Sequence, residues 1–134
     1  KSIEYFLGQT ILKTRMIPKD VVQYRRNGED AKHFYTKNGE KKLSELMTSE
    51  NPLEDIKNHR ATDVELIGIT KETGKGNTYQ VRWKEKVYNE KELESECTMV
   101  AFVSVKLAQP KTEEQIRNNP FGIYIDDISW SKER

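Results

Sequence analysis

A single cysteine, Cys97, stands in a chain of 134 residues, so an internal disulfide and a cysteine-built metal site are both excluded. Within a strand-like run its expected role is that of a small buried or half-buried residue. An excess of charge of one sign is missing too. The 23 Lys and Arg against 22 Asp and Glu leave a net charge of +1, which supplies no overall drive toward nucleic acid. No apolar run approaches the roughly 20 residues of a membrane-crossing helix, and no signal-peptide pattern opens the chain. The apolar share is a lean 34%. That suits one modest core in one domain, 1–134, with some faces left to partners.

Catalytic constellations are equally scarce. His33 lies in a helical segment with no cysteine or acidic partner at metal-ligand spacing, His59 sits beside Asn58 and Arg60 in a polar connection, and both read as surface residues. Asp126-Asp127 is the most tempting carboxylate pair, but neighbours on a strand point to opposite faces, so a twisted or bulged sheet edge is the expected setting. No serine has a nucleophile-elbow context. The loop Thr73-Gly74-Lys75-Gly76-Asn77 lacks the spacing and the following helix of a phosphate cradle, and reads as a hairpin connection. No catalytic, cofactor-binding or metal residue is assigned, and no cofactor is expected.

What is present is a change of period. Residues 3–16 carry two apolar stripes at helical spacing: Ile3, Phe6, Leu7 and Ile11 on one side, Tyr5, Leu12 and Met16 close to the other. The second stripe fits either a helix sunk between two layers of its own domain or a contact with another subunit, centred on Tyr5, Leu12 and Met16. Pro18 ends the helix. Val22, Ala31, Phe34 and Tyr35 mark a second helix that Asn38-Gly39 breaks; Leu43, Leu46 and Met47 mark a third. Asn51, Pro52 and the acids Glu54 and Asp55 form the start of a short fourth.

After Ala61 the period falls to two. Val64 and Leu66 alternate with acids; Tyr79, Val81, Trp83, Glu85 and Val87 share one face of the next strand, with Arg82, Lys84 and Lys86 on the other. Those cations lie near the acidic run 90–96, and cross-strand pairing accounts for them better than a nucleic-acid ligand. Asn89-Glu90-Lys91 turns the chain. A long third strand places Met99, Ala101, Val103, Val105 and Leu107 on one side and Val100 and Phe102 on the other, which predicts a middle covered on both faces. Thr112-Glu113-Glu114-Gln115 is a capping box. The turn Asn119-Pro120-Phe121-Gly122 then sets the start of a last strand, with Gly122 placed for a positive φ or a close backbone approach. Trp130 is assigned to packing first and to a partner second. Helices first and an antiparallel meander afterwards make an α+β domain, N-terminal helices packed on a curved antiparallel sheet.

Val81-Arg82-Trp83-Lys84-Glu85, the strand ending near Leu107, Pro110-Lys111-Thr112-Glu113-Glu114, Asn119-Pro120-Phe121-Gly122 and Ser129-Trp130-Ser131-Lys132-Glu133 together resemble the periplasmic domain of the TrbF conjugation protein and of the eighth VirB component of type IV secretion systems. Tyr5-Phe6-Leu7 and Asn51-Pro52-Leu53 extend the likeness upstream. The family pattern usually has Leu after Asn-Pro; here Phe121 keeps an apolar side chain of another shape. The resemblance implies a nuclear transport factor 2-like fold and a non-catalytic scaffold of an inner-membrane assembly, with self-association, other secretion subunits as partners and no direct nucleic-acid binding. It implies a periplasmic domain in a Gram-negative-type bacterium, and a cytoplasmic tail and one transmembrane helix before Lys1, the only link to the membrane. Since the same fold hosts catalysts, a small-ligand enzyme or cargo-binding module is the alternative.

Overall fold

The computed structural model describes residues 2–74 and 76–133; Lys75 of the hairpin loop lies outside them, as do Lys1 and Arg134. The described chain begins with α1 (Ser2–Arg15), α2 (Val21–Lys32), α3 (Lys37–Thr48) and α4 (Pro52–Lys57). Strands β1 (Arg60–Lys71), β2 (Thr78–Asn89) and β3 (Glu92–Leu107) follow, then α5 (Glu113–Asn118) and β4 (Ile123–Lys132). The strands form one antiparallel sheet in the order β1-β2-β3-β4. The helical layer covers one face of it, the α+β arrangement that the change of period predicts.

The core lies between the two layers. From the sheet come Val81 and Trp83 of β2, Ala101 and Val103 of β3, and Ile125 and Ile128 of β4; from the helices come Leu7, Ile11 and Ala31. The inward row of β2 is buried from Tyr79 through Glu85, while its polar neighbours are only partly covered. The long third strand departs from expectation. Met99, Ala101, Val103 and Val105 are buried, but Phe102 and Leu107 are exposed and Val100 is half-covered. A two-layer domain has helices for one face of its sheet alone, so the middle of β3 is not covered on both sides.

The helical boundaries also move. Phe34 and Tyr35 lie past the end of α2, Phe34 in the turn that closes it and Tyr35 at a bridge to Ile125 of β4. Asn38-Gly39 does not break a helix; it sits in the first turn of α3, where the Thr36 side chain caps the Gly39 amide at 3.0 Å. Glycine is required there because a Cβ would run into the carbonyl oxygen of Ile125, so α3 can lie directly on β4. At the start of α4, Pro52 holds the first position while Asn51 makes no side-chain cap bond. At α5 the capping box is complete in both directions, Thr112 to the Gln115 amide and Gln115 back to the Thr112 amide.

Candidate interaction surface

The turn before β4 is built by Asn119. Its side chain is buried, donates to the carbonyls of Ile123 at 2.8 Å and His33 at 3.2 Å, and accepts from the Ile123 amide at 3.3 Å. One residue thus ties the end of α2 to the start of β4. Gly122 has φ +62°, and a Cβ on it would strike the carbonyl oxygen of Ala108. Both a positive φ and a close approach hold at this position. With Asn119 turned inward, Pro120 and Phe121 are turned out, and Phe121 is 75% exposed.

Phe121 faces α1 across an apolar groove of about 610 Å³, lined also by Tyr5, Phe6, Gln9, Thr10, Lys13 and Phe34. Phe6 and Phe34 meet edge to face at 4.8 Å and form part of its wall. Tyr5 is 72% exposed. Two widely exposed aromatic side chains, far apart in sequence, therefore border one hollow whose lining contains a single charged residue, Lys13.

Of the two stripes of α1, Leu7 and Ile11 are fully buried and Ile3 and Phe6 pack against the core. On the other side, Leu12 and Met16 are half-buried and Tyr5 is open, so the domain's own cover does not reach Tyr5. Met16 lies just past the end of α1, its amide still bonded to the Leu12 carbonyl at 3.0 Å. Ile17 then pairs with Thr62 of β1, and Met16 shares a shallow hollow with Thr62 and Asp63.

Sequence reasoning missed the polar centre beneath this surface. Arg15, at the last position of α1 and 8% exposed, places Nε 2.6 Å and Nη2 2.9 Å from the two carboxylate oxygens of Glu85. Its Nη1 donates to Glu50 at 2.9 Å, and its guanidinium lies 4.7 Å from the ring centroid of Trp130. Trp83 donates its indole N–H to Glu85 at 2.7 Å, and Trp130 donates to Glu50 at 3.2 Å. Burial works against the charged guanidinium, but the hydrogen bonds and attraction of Glu85, then Glu50, outweigh it and hold the Arg15 pKa above its usual value. A signal was available: Glu85 is the lone charge in an inward row of apolar residues, and such a carboxylate needs a buried cation.

The remaining candidates fall where the strand pattern puts them. His33 and His59 are exposed. The β3–β4 ladder shifts between Ser104 and Val105 and leaves Asp126 without a cross-strand partner; Asp126 accepts from the Thr36 hydroxyl at 2.7 Å, while Asp127 turns outward. Arg82 pairs with Glu133 at 2.7 Å, not with the acidic run, whereas Lys84 reaches Glu96 at 3.4 Å. Cys97 is half-buried on β3, and burial, followed by the charge of Glu85, raises its thiol pKa. Among the described residues no group of three or more His, Cys, Asp or Glu is placed to hold a metal ion. None of the described helices is long and apolar enough to cross a membrane.

No curated protein sequence matches the chain. Solved structures do. The chain is similar to the VirB8 protein of Agrobacterium tumefaciens, with a TM-score of 0.76 at 17% identity over 96% of this chain and 88% of that one. It is similar to a TrwG type IV secretion component of Bartonella birtlesii, with a TM-score of 0.78 at 16% identity over 97% and 90%. A periplasmic fragment of TraM gives 0.76 at 15% identity over 96% and 94%. At these identities the likeness shows the fold, which is the nuclear transport factor 2-like one. The sequence itself carries the assignment: the family model described as VirB8 protein matches residues 1–133, and the chain belongs to that family of type IV secretion components.

Proposed function

We propose that this chain is the periplasmic part of a single-pass inner-membrane protein and that it acts as a non-catalytic scaffold in a conjugative or effector-delivering type IV secretion complex. The observation that carries this reading is the pairing of Tyr5 and Phe121, each more than 70% exposed, on one apolar groove. The hollow they border is lined mainly by aromatic side chains with Lys13 as its one charge, a composition that suits docking of an apolar partner surface. The turn Asn119-Pro120-Phe121-Gly122 presents one side of that surface to other subunits. The stripe of Tyr5, Leu12 and Met16 is the centre of a small isologous contact between copies, with Tyr5 shared between stripe and groove. A patch from one helix side stands at the small end of specific interfaces, so the contact is of about micromolar strength or weaker. Tethering to a membrane raises the local concentration and makes it effective. Deletion of the gene, followed by an assay of DNA or effector transfer, tests the reading: transfer is lost and is restored by the intact gene. Normal transfer in the deletion strain contradicts it.

A further inference from the structure

The sheet has two edges, β4 and β1, and among the described residues each is tied to another segment at one place only. The outer side of β4 is bonded near its start by the link between α2 and α3, where the Thr36 amide donates to the Ile125 carbonyl at 2.9 Å, the Ile125 amide to the Phe34 carbonyl at 2.8 Å and the Asn38 side chain to the Asp126 carbonyl at 2.7 Å. The outer side of β1 is covered only where it begins, by the two bonds between Ile17 and Thr62 at 2.8 and 3.1 Å. Beyond Thr62, among the described residues, 63–71 make ladder bonds to β2 alone. That is an open edge about 30 Å long at the usual rise per strand residue. It contains no proline, and its middle is apolar: Leu66 is 39% and Ile67 48% exposed. Natural edges of this kind are ordinarily blunted by charge or by a covering element.

We infer that this edge is the second half of the self-association surface: two copies pair β1 against β1, antiparallel about a twofold axis near Ile67, and join their sheets into one. The inference rests on the reading that the Tyr5, Leu12 and Met16 stripe meets another copy. Two observations favour a second copy as the occupant. The first is charge. Asp63 and Glu65 sit at one end of the strand and Lys71 at the other, so antiparallel pairing brings the acidic end of one copy to the basic end of the next, whereas parallel pairing would set acid against acid. The second is continuity. A Cβ on Gly8 of α1 would lie 3.0 Å from Leu66 and 3.6 Å from Ile69, so the helix lies directly on this strand. Met16 shares its hollow with Thr62 and Asp63. Stripe and edge thus border one another. The bulge at Ile67 interrupts the β1–β2 ladder between Leu66 and Gly68, which breaks an added ladder into two short runs and keeps the pairing weak.

Hydrogen exchange read at single amides over a concentration series, with sedimentation of the chain and of Ile67→Lys, tests this. The amides of 63–71 that point away from β2 slow in the parent by about fivefold when the chain is raised to roughly ten times its dissociation constant, as mass action requires, and Ile67→Lys loses both the slowing and the dimer. A dimer whose 63–71 amides exchange at one rate throughout overturns edge pairing; Leu12→Arg then decides separately whether the helix stripe is the contact, and if that variant also dimerises, the stripe reading falls as well. A chain that stays monomeric overturns both. Slowing that appears only when another secretion subunit is added assigns the edge to a partner strand and overturns pairing between copies. The exchange measurement on the parent stands even if Ile67→Lys fails to fold.

Discussion

Arg15 and Glu85, 70 residues apart in sequence, share a two-pronged ion pair at 2.6 and 2.9 Å under the helical layer. The pair joins the last residue of α1 to the inward row of β2, and Glu50 with Trp130 extends it to the end of α3 and to β4. Removing Glu85 leaves the buried Arg15 guanidinium to the half-exposed Glu50 alone and the buried Trp83 indole N–H without its acceptor, which costs far more than the intact pair contributes. Glu85→Ala is therefore expected to destabilise the chain by about 3 kcal/mol or more. Glu50, half-exposed, is expected to cost roughly 1 kcal/mol on the same change. Denaturant unfolding of both variants checks this; equal small losses would show that the pair is screened and unimportant.

Arg15→Lys is not a conservative change here. An ammonium cannot span both oxygens of Glu85 while also reaching Glu50 and stacking on Trp130. The expected outcome is a loss close to that of Arg15→Ala, measured by the same unfolding experiment, with retention of parental stability as the contrary result.

Tyr35 gives a pH dependence. Its hydroxyl is buried and meets the Thr14 hydroxyl at 3.0 Å; burial pushes its pKa up to about 12, with the Thr14 bond opposing. A raised value means that the folded state holds its proton after the unfolded state has released it. The contribution is therefore full below about pH 10, the ordinary tyrosine value, and is lost as pH rises through about 12. Tyr35→Phe is expected to remove this part of the alkaline loss, about 2 kcal/mol at most between those limits. Unfolding free energies of parent and variant at pH 8 to 12 check it; parallel curves would contradict it.

Two glycines should respond in opposite directions. Gly28 lies inside α2, and a Cβ there meets nothing within 4 Å, so Gly28→Ala should stabilise by about 0.5 to 1 kcal/mol through helix propensity alone. Gly122 has the positive φ and the Ala108 carbonyl against it. Gly122→Val should cost about 1 to 3 kcal/mol from the backbone conformation, and more where the carbonyl cannot move. Thermal unfolding of both variants decides, and a Gly122→Val melting point equal to the parent's would remove the special role of this turn.

Features set by local chemistry were legible in the sequence. The alternation from Tyr79 to Val87 marked the inward row of β2, Thr112 and Gln115 marked the start of α5, and Pro120 with Gly122 marked the turn. What escaped depends on pairing across the fold. Arg15 follows Ile11 by one helical turn and so faces the core, yet nothing near it in sequence names Glu85 as its partner. Asn38-Gly39 read as a break because the pressure that selects glycine there comes from Ile125, far along the chain. The groove between Tyr5 and Phe121 likewise exists only once α1 and the last turn are brought together.

That the protein works by associating is tested most directly by sedimentation of the parent and of Leu12→Arg over a concentration series. Leu12 is half-buried on the side of α1 away from Leu7 and Ile11, so the new charge enters the stripe without entering the core. The parent is expected to pass from monomer to dimer at about micromolar concentration or above, and Leu12→Arg to stay a folded monomer. The same monomer–dimer curve for both would place the contact elsewhere, and an unfolded Leu12→Arg would return the stripe to the core.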